Sequence, residues 1–279
     1  MTWWCSATGE PWTWAWKAYP GVWLFLAVLA LAYWRGVLRG PEAPARPAAS
    51  IAWFTAGLLA IWLALDWPIG ALGAYYLASF HTISYLLLAM VAPPCLILAI
   101  PVAQQRRLAT TGRWARLLQA FGRPWAGFAL YAVILTLTHF PVIVDGAMAT
   151  QLGAFAIDLA WILSGFGLWW PVMGPSPEVV RIRRPLKMAY LFLATLPTIG
   201  PSAFLTFAEY PLYATYELAP RIFRIMTALE DQKVSGLVMK IIGDLPLWFG
   251  FGVIFFRWAR EETTTPPPVH PGAGRVAVS

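Results

Sequence analysis

Apolar runs of membrane-crossing length recur from one end of the chain to the other, and they constrain its fold more than any motif does. A hydrocarbon core of ~30 Å calls for about 20 helical residues at a rise of ~1.5 Å each. Seven runs approach or reach that length, approximately 19–34, 50–65, 72–92, 125–144, 152–172, 186–207 and 234–256. The first two are short and depend on flanking Trp residues to complete a span. The stretches between them are too short for a soluble domain, and no internal repeat is visible. Composition agrees, since 59% of the 279 residues are hydrophobic and only 12% are charged, about half the usual charged share. The fold expected is all-α: a polytopic membrane protein whose seven transmembrane helices form a bundle over residues 19–256. Residues 1–18 lack the basic start and apolar core of a cleavable signal. Their Trp3, Trp4, Trp12, Trp14 and Trp16 read as an outer interfacial anchor. Residues 257–279 are Pro-rich and polar and read as a disordered cytoplasmic tail in which His270 is solvated.

The formal charge of +7 would raise the question of nucleic acid in a soluble protein, but its distribution gives another answer. Arg35, Arg39 and Arg46 follow span one, and Arg106, Arg107, Arg113, Arg116 and Arg123 follow span three. Arg181, Arg183, Arg184 and Lys187 lie between spans five and six, with Arg257, Arg260 and Arg275 in the tail. The opposite side holds only Lys17, Arg221, Arg224 and Lys233. The positive-inside rule then places the N-terminus outside and the C-terminus in the cytoplasm, and nucleic acid drops out as a partner. The basic segment 104–123 reads as a topology-setting loop, with an amphipathic helix on the inner leaflet as the alternative. Cys5 and Cys95 are too few for a disulfide scaffold.

An ionisable side chain inside a span costs a few kcal/mol and asks for a partner or a function. Five stand there: His81, His139, Asp158, Lys240 and Asp244, all in the outer half. Their convergence from four spans suggests one polar cavity opening outward. Lys240 and Asp244, at i and i+4, read as a structural ion pair. Imidazole and thioether together suit copper, and Met239 falls at the depth of the two histidines. No CxxC, HExxH, Walker loop or Ser/His/Asp grouping is present, so nothing supports a hydrolase, kinase or dehydrogenase. Gly165, Gly167, Gly250 and Gly252 read as close helix packing. Pro93 with Pro94, Pro197 with Pro201, and Pro246 are expected to kink or end spans three, six and seven.

Four ordered blocks then carry a resemblance: HTISYLLLAMVAPPCLILAIP at 81–101, HFPVIVD at 139–145, WWPVMGPSP at 169–177 and LEDQKVSGLVM at 229–239. The chain resembles the seven-span cytochrome c oxidase assembly factors of the CtaG type associated with caa-type oxidases. The likeness runs from about Gly70 to Gly243. Position by position it covers His81, His139, Pro141, Asp145, Asp231, Gln232, Gly236 and Met239. The resemblance implies a second His four residues after His81 and an HxxxH pair on span five, whereas this chain has Tyr85, Ala154 and Asp158 there. Lys240 stands where the family often has Trp.

What survives is a copper site of His81, His139 and Met239, with Asp158 or Tyr85 completing or orienting it. The alternative is a member that keeps the scaffold and a docking function without metal. Asp145, Asp231, Gln232 and Gly236 form the motif and docking set, while Tyr210, Tyr213 and Tyr216 read as an interfacial belt. The function implied is that of a non-enzymatic assembly factor in a bacterial plasma (inner) membrane, helping a haem-copper oxidase acquire copper on the outer side. Its partners are oxidase subunits or another assembly factor, besides the bilayer. A metal-cation or proton transporter is the competing reading. A retinal protein, suggested by Lys240, is opposed by the lack of an acidic residue in span three.

Overall fold

The computed structural model describes residues 2–111, 114–174, 182–223 and 225–264. The expectations for Arg113, Arg181, Arg224, the 175–177 end of the third block and the tail from 265 lie outside them. Among the described residues every regular element is helical. Six helices are long and apolar enough to cross a membrane, or seven if the bent pair Ala115–Phe121 and Pro124–Leu137 is one span. The protein is thus an all-helical polytopic membrane protein.

In chain order the helices are α1 (Pro20–Leu38), α2 (Pro47–Leu65), α3 (Ala78–Ala99), α4 (Val102–Thr110), α5 (Ala115–Phe121) and α6 (Pro124–Leu137). They continue as α7 (Pro141–Met148), α8 (Gln151–Met173), α9 (Arg184–Ala194), α10 (Ile199–Phe207), α11 (Ala214–Glu217) and α12 (Ala228–Thr264). Central to the bundle is α3, which packs against α2, α8 and α12. Its most apolar window is 67% buried against 17% for α1, which places α1 at the periphery. Close approach at α8 depends on small residues. A methyl added at Gly165 would meet the Ala89 carbonyl of α3, and one at Gly127 of α6 would meet the Gly167 carbonyl of α8.

Several boundaries differ from the sequence expectation, each for a backbone reason. Span three begins at Ala78 rather than 72, because Leu77 is extended (φ −136°, ψ 120°) and separates it from a helical turn at Leu72–Tyr76. Pro93 and Pro94 do not end it. A wide π-type turn at Leu87–Val91 precedes them, and both prolines enter the first positions of the next helical stretch, where a missing N–H costs little. Span four is not continuous to 144: it stops at Leu137, and α7 starts separately at Pro141. Pro197 does break span six, between α9 and α10. Pro246 neither ends nor divides α12, which has 37 residues, a length of ~55 Å that exceeds the hydrocarbon core. Residues 257–264 therefore continue a helix instead of opening the tail, and Arg184 pairs with Glu261 along that extension. The basic segment after span three is likewise two short helices, α4 and α5, rather than a plain loop.

The N-terminal segment differs most from an interfacial anchor. Trp3, Trp14 and Trp16 are exposed, but Trp4 and Cys5 are 1% and 5% exposed, inside the bundle's main core. The Gln151 side-chain carbonyl accepts from the backbone N–H groups of Trp3 (2.6 Å) and Trp4 (3.2 Å), and the Ala7 N–H donates to the Met148 carbonyl (2.9 Å). Those bonds fold residues 3–7 onto the start of α8.

Candidate functional site

At the end of the bundle that carries the N-terminal segment, five ring side chains meet. The His81 ring lies 4.9 Å from Trp161, 5.8 Å from Tyr216 and 6.3 Å from His139, measured between centroids. Tyr85 lies 5.1 Å from His139 and 5.5 Å from Trp161. Four elements build this cluster, the fourth being α11, which carries Tyr216. His81 and Tyr85 are one turn apart on α3, Trp161 comes from α8, and His139 stands in the break between α6 and α7 rather than on a regular helix. The signal for that break is Pro141, because an X-Pro step turns the preceding Phe140 to an extended conformation (φ −73°, ψ 132°).

Both imidazoles are buried, at 5% and 4% exposure. His139 Nδ1 sits 2.7 Å from the Leu135 carbonyl. A carbonyl only accepts, so Nδ1 carries the proton and a neutral His139 presents a bare lone pair at Nε2. The Nε2 atoms of both His81 and His139 are buried with no hydrogen-bond partner among the described residues. Two orphaned ring nitrogens within one ring cluster are costly unless something is bound there.

Each imidazole faces its own cavity. His81 borders one of about 10 Å³, the size of a single water, lined also by Cys5, Ser84, Met148, Ala154, Asp158 and Trp161. Ala154 and Asp158, where the resemblance implies a histidine pair, thus border the same cavity as His81. Asp158 Oδ2 accepts from Trp4 Nε1 at 2.8 Å. The second cavity, of about 240 Å³, lies on the flank of the bundle between the α6–α7 break and α10. It is lined by Thr136, His139, Phe140, Gly200, Pro201 and Phe204. Met239 is fully buried but sits one turn beyond Ser235 on α12. Because the Ser235 hydroxyl meets that of Thr82 (2.7 Å), Met239 falls deeper than His81 and is absent from both cavities. Among the described residues no three His, Cys, Asp or Glu side chains are grouped to hold a metal.

The remaining polar groups fasten the bundle. Lys240 Nζ lies 2.8 Å from Asp244 Oδ2 and donates to the Thr195 carbonyl (3.0 Å), which the break before Pro197 leaves available. Thr198 Oγ1 is within 3.3 Å of both. These two charges contact α9 and the turn after it rather than the imidazoles, so the five embedded groups divide between two places.

Asp231 accepts from the Ala78 N–H (2.6 Å) and the Ser79 hydroxyl, capping α3 from α12. Asp145 accepts from the N–H groups of Ala214 (3.1 Å) and Thr215 (2.9 Å) at the start of α11. Gln232 accepts from the Leu212 N–H (2.7 Å), and Gly236 lets α12 approach Ser202 and Thr206 of α10. Asp231 and Gln232 are each 2% exposed, which places them inside the fold rather than on a face open to a partner.

Two tyrosines of segment 208–227 also depart from the interfacial belt. Tyr213 donates to the His139 carbonyl (2.9 Å) and Tyr216 to the Gly73 carbonyl (2.7 Å), carbonyls at helix breaks, while Tyr210 alone of the three is exposed. Burial pushes both phenols above their ordinary value, which keeps them neutral donors. The residues that sequence reasoning missed are Trp4, Cys5, Met148, Trp161 and Tyr216. All are apolar or amphipathic, and nothing in their spacing separates a ring or sulfur at a site from one in a core.

No curated protein and no solved structure matches the chain. Residues 31–261 do match the family described as cytochrome c oxidase caa3 assembly factor, a span that takes in α2 to α12 almost entirely and both imidazoles. The chain therefore belongs to the cytochrome c oxidase caa3 assembly factor family.

Proposed function

We propose that this protein is a non-catalytic assembly factor of a bacterial plasma membrane that handles copper for a haem-copper cytochrome c oxidase through His81 and His139. The family match over residues 31–261 carries the assembly role. Support for copper comes from chemistry: two buried imidazoles present unpartnered Nε2 atoms within one ring cluster, and imidazole is a good ligand for copper. Copper is cargo here, received at the N-terminal end of the bundle and released to an oxidase subunit or a second assembly factor. The flank cavity beside His139, edged by the exposed Phe140 and Phe204, suits contact with an apolar partner helix within the bilayer. The basic residues on the opposite side of the chain support placing that end outside.

Deleting the gene tests this reading. The expected result is a fall in both oxidase activity and the copper content of the purified oxidase, restored by the wild-type gene. Normal values for both in the deletion strain would remove the proposal.

A further inference from the structure

The cavity beside His81 contains a donor set that neither imidazole reasoning nor the family match supplies. Residues 2–30 lie outside the matched region, yet they deliver Cys5 to the cavity wall, where Met148 also stands. We propose that Cys5, His81 and Met148 form a three-donor site for Cu(I), with thiolate, imidazole and thioether as ligands.

The three side chains border one space of about 10 Å³, enough for a single desolvated ion and too small for a hydrated one. All are closely buried: Cys5 and His81 are each 5% exposed and Met148 is 2%. His81 Nε2 has no partner among the described residues. Cys5 is a free thiol that donates to the Leu65 carbonyl at 3.1 Å and also meets the Tyr19 side chain. Its position is fixed from both sides. Trp3 and Trp4 are bound to Gln151 just before it, and Ala7 is bound to the Met148 backbone just after it. The Ala7 bond also ties the segment that carries the thiol to the residue that carries the thioether.

The metal follows from the donors. Because no three His, Cys, Asp or Glu side chains are grouped among the described residues, a zinc site built from such ligands has no basis here. A thioether as third donor favours a soft, low-coordinate cation, which Cu(I) is. Ligation replaces the S–H bond of Cys5 with an S–Cu(I) bond and leaves copper in the same oxidation state. The displaced proton passes to the Asp158 carboxylate on the same wall. The neutral Cu(I)–thiolate unit suits an apolar surround better than a bare cation does.

This site rests on the copper-handling reading above only for the choice of cargo, and its test is separable. The full chain, purified in detergent, is titrated with Cu(I) against a coloured Cu(I) chelator, and X-ray absorption is recorded on the loaded protein. The wild type is expected to hold one Cu(I) with both sulfur and nitrogen scatterers. Cys5→Ser should weaken binding by more than about tenfold and lower the sulfur contribution, since Cu(I) disfavours a hydroxyl. Met148→Leu should lower it too, and Cys95→Ser should change neither quantity. Absence of Cu(I) from the wild type, or a wild-type spectrum free of sulfur scattering, overturns the site without recourse to any variant. Unchanged affinity in Cys5→Ser overturns it as well. Loss of binding in Cys5→Ser with normal oxidase copper in cells upholds the site and detaches it from oxidase assembly.

Discussion

Asp231 shows how a carboxylate in the most recognisable block of the chain acts on the fold. It caps a helix that lies 153 residues away in sequence, accepting from the Ala78 N–H and the Ser79 hydroxyl. No spacing rule reveals such a partner, so the sequence assigns the residue to a motif and leaves its role open. Replacing it with Ala strips a buried helix start of its acceptor, a loss of about 1–2 kcal/mol. Thermal unfolding in detergent should show that drop for Asp231→Ala and a smaller one for Asp231→Asn. Equal stability in both variants would mean the cap contributes nothing.

The Lys240–Asp244 pair is the opposite case, readable from its i, i+4 spacing because both partners share one helix. Lys240→Met leaves Asp244 beside Thr198 without its counter-charge, and a destabilisation of about 3 kcal/mol is expected. Lys240→Met with Asp244→Leu should recover most of it. A double variant no better than the single one would contradict the pairing.

At the scale of elements, hydropathy located the spans well, since it reports burial in lipid and needs no tertiary information. It failed where backbone groups decide. The break at 138–140 and the extended Leu77 place His139 and the start of α3, and both depend on turns, caps and carbonyl partners contributed by distant residues. The N-terminal segment was the hardest to read, because tryptophan serves an interface and a core equally well. Here Trp4 is buried and donates to Asp158, which lines the cavity. Trp4→Ala should therefore open the cavity. In a Cys95→Ser background, a maleimide should label Cys5 slowly in the folded wild type and much faster in Trp4→Ala. Equal rates would show that Trp4 does not shield the thiol.

For the whole molecule, the charge distribution and the buried site point in one direction. The ring cluster and the N-terminal segment occupy the same end of the bundle, opposite the arginines of α4 and α5. A protease site appended to the N-terminus should be cut in intact cells stripped of their outer barrier, and one appended to the C-terminus should not. The reverse pattern would contradict the proposed orientation. Of the candidate site, the sequence disclosed the two histidines through their cost in a membrane, and Tyr85 and Asp158 beside them, but not Cys5, Met148, Trp161 or Tyr216. The most direct test of the account is the copper content of the oxidase purified from deletion cells that produce the His81→Ala, His139→Ala double variant at wild-type abundance. The expected oxidase is as poor in copper as that of the deletion strain. An oxidase with full copper would contradict it.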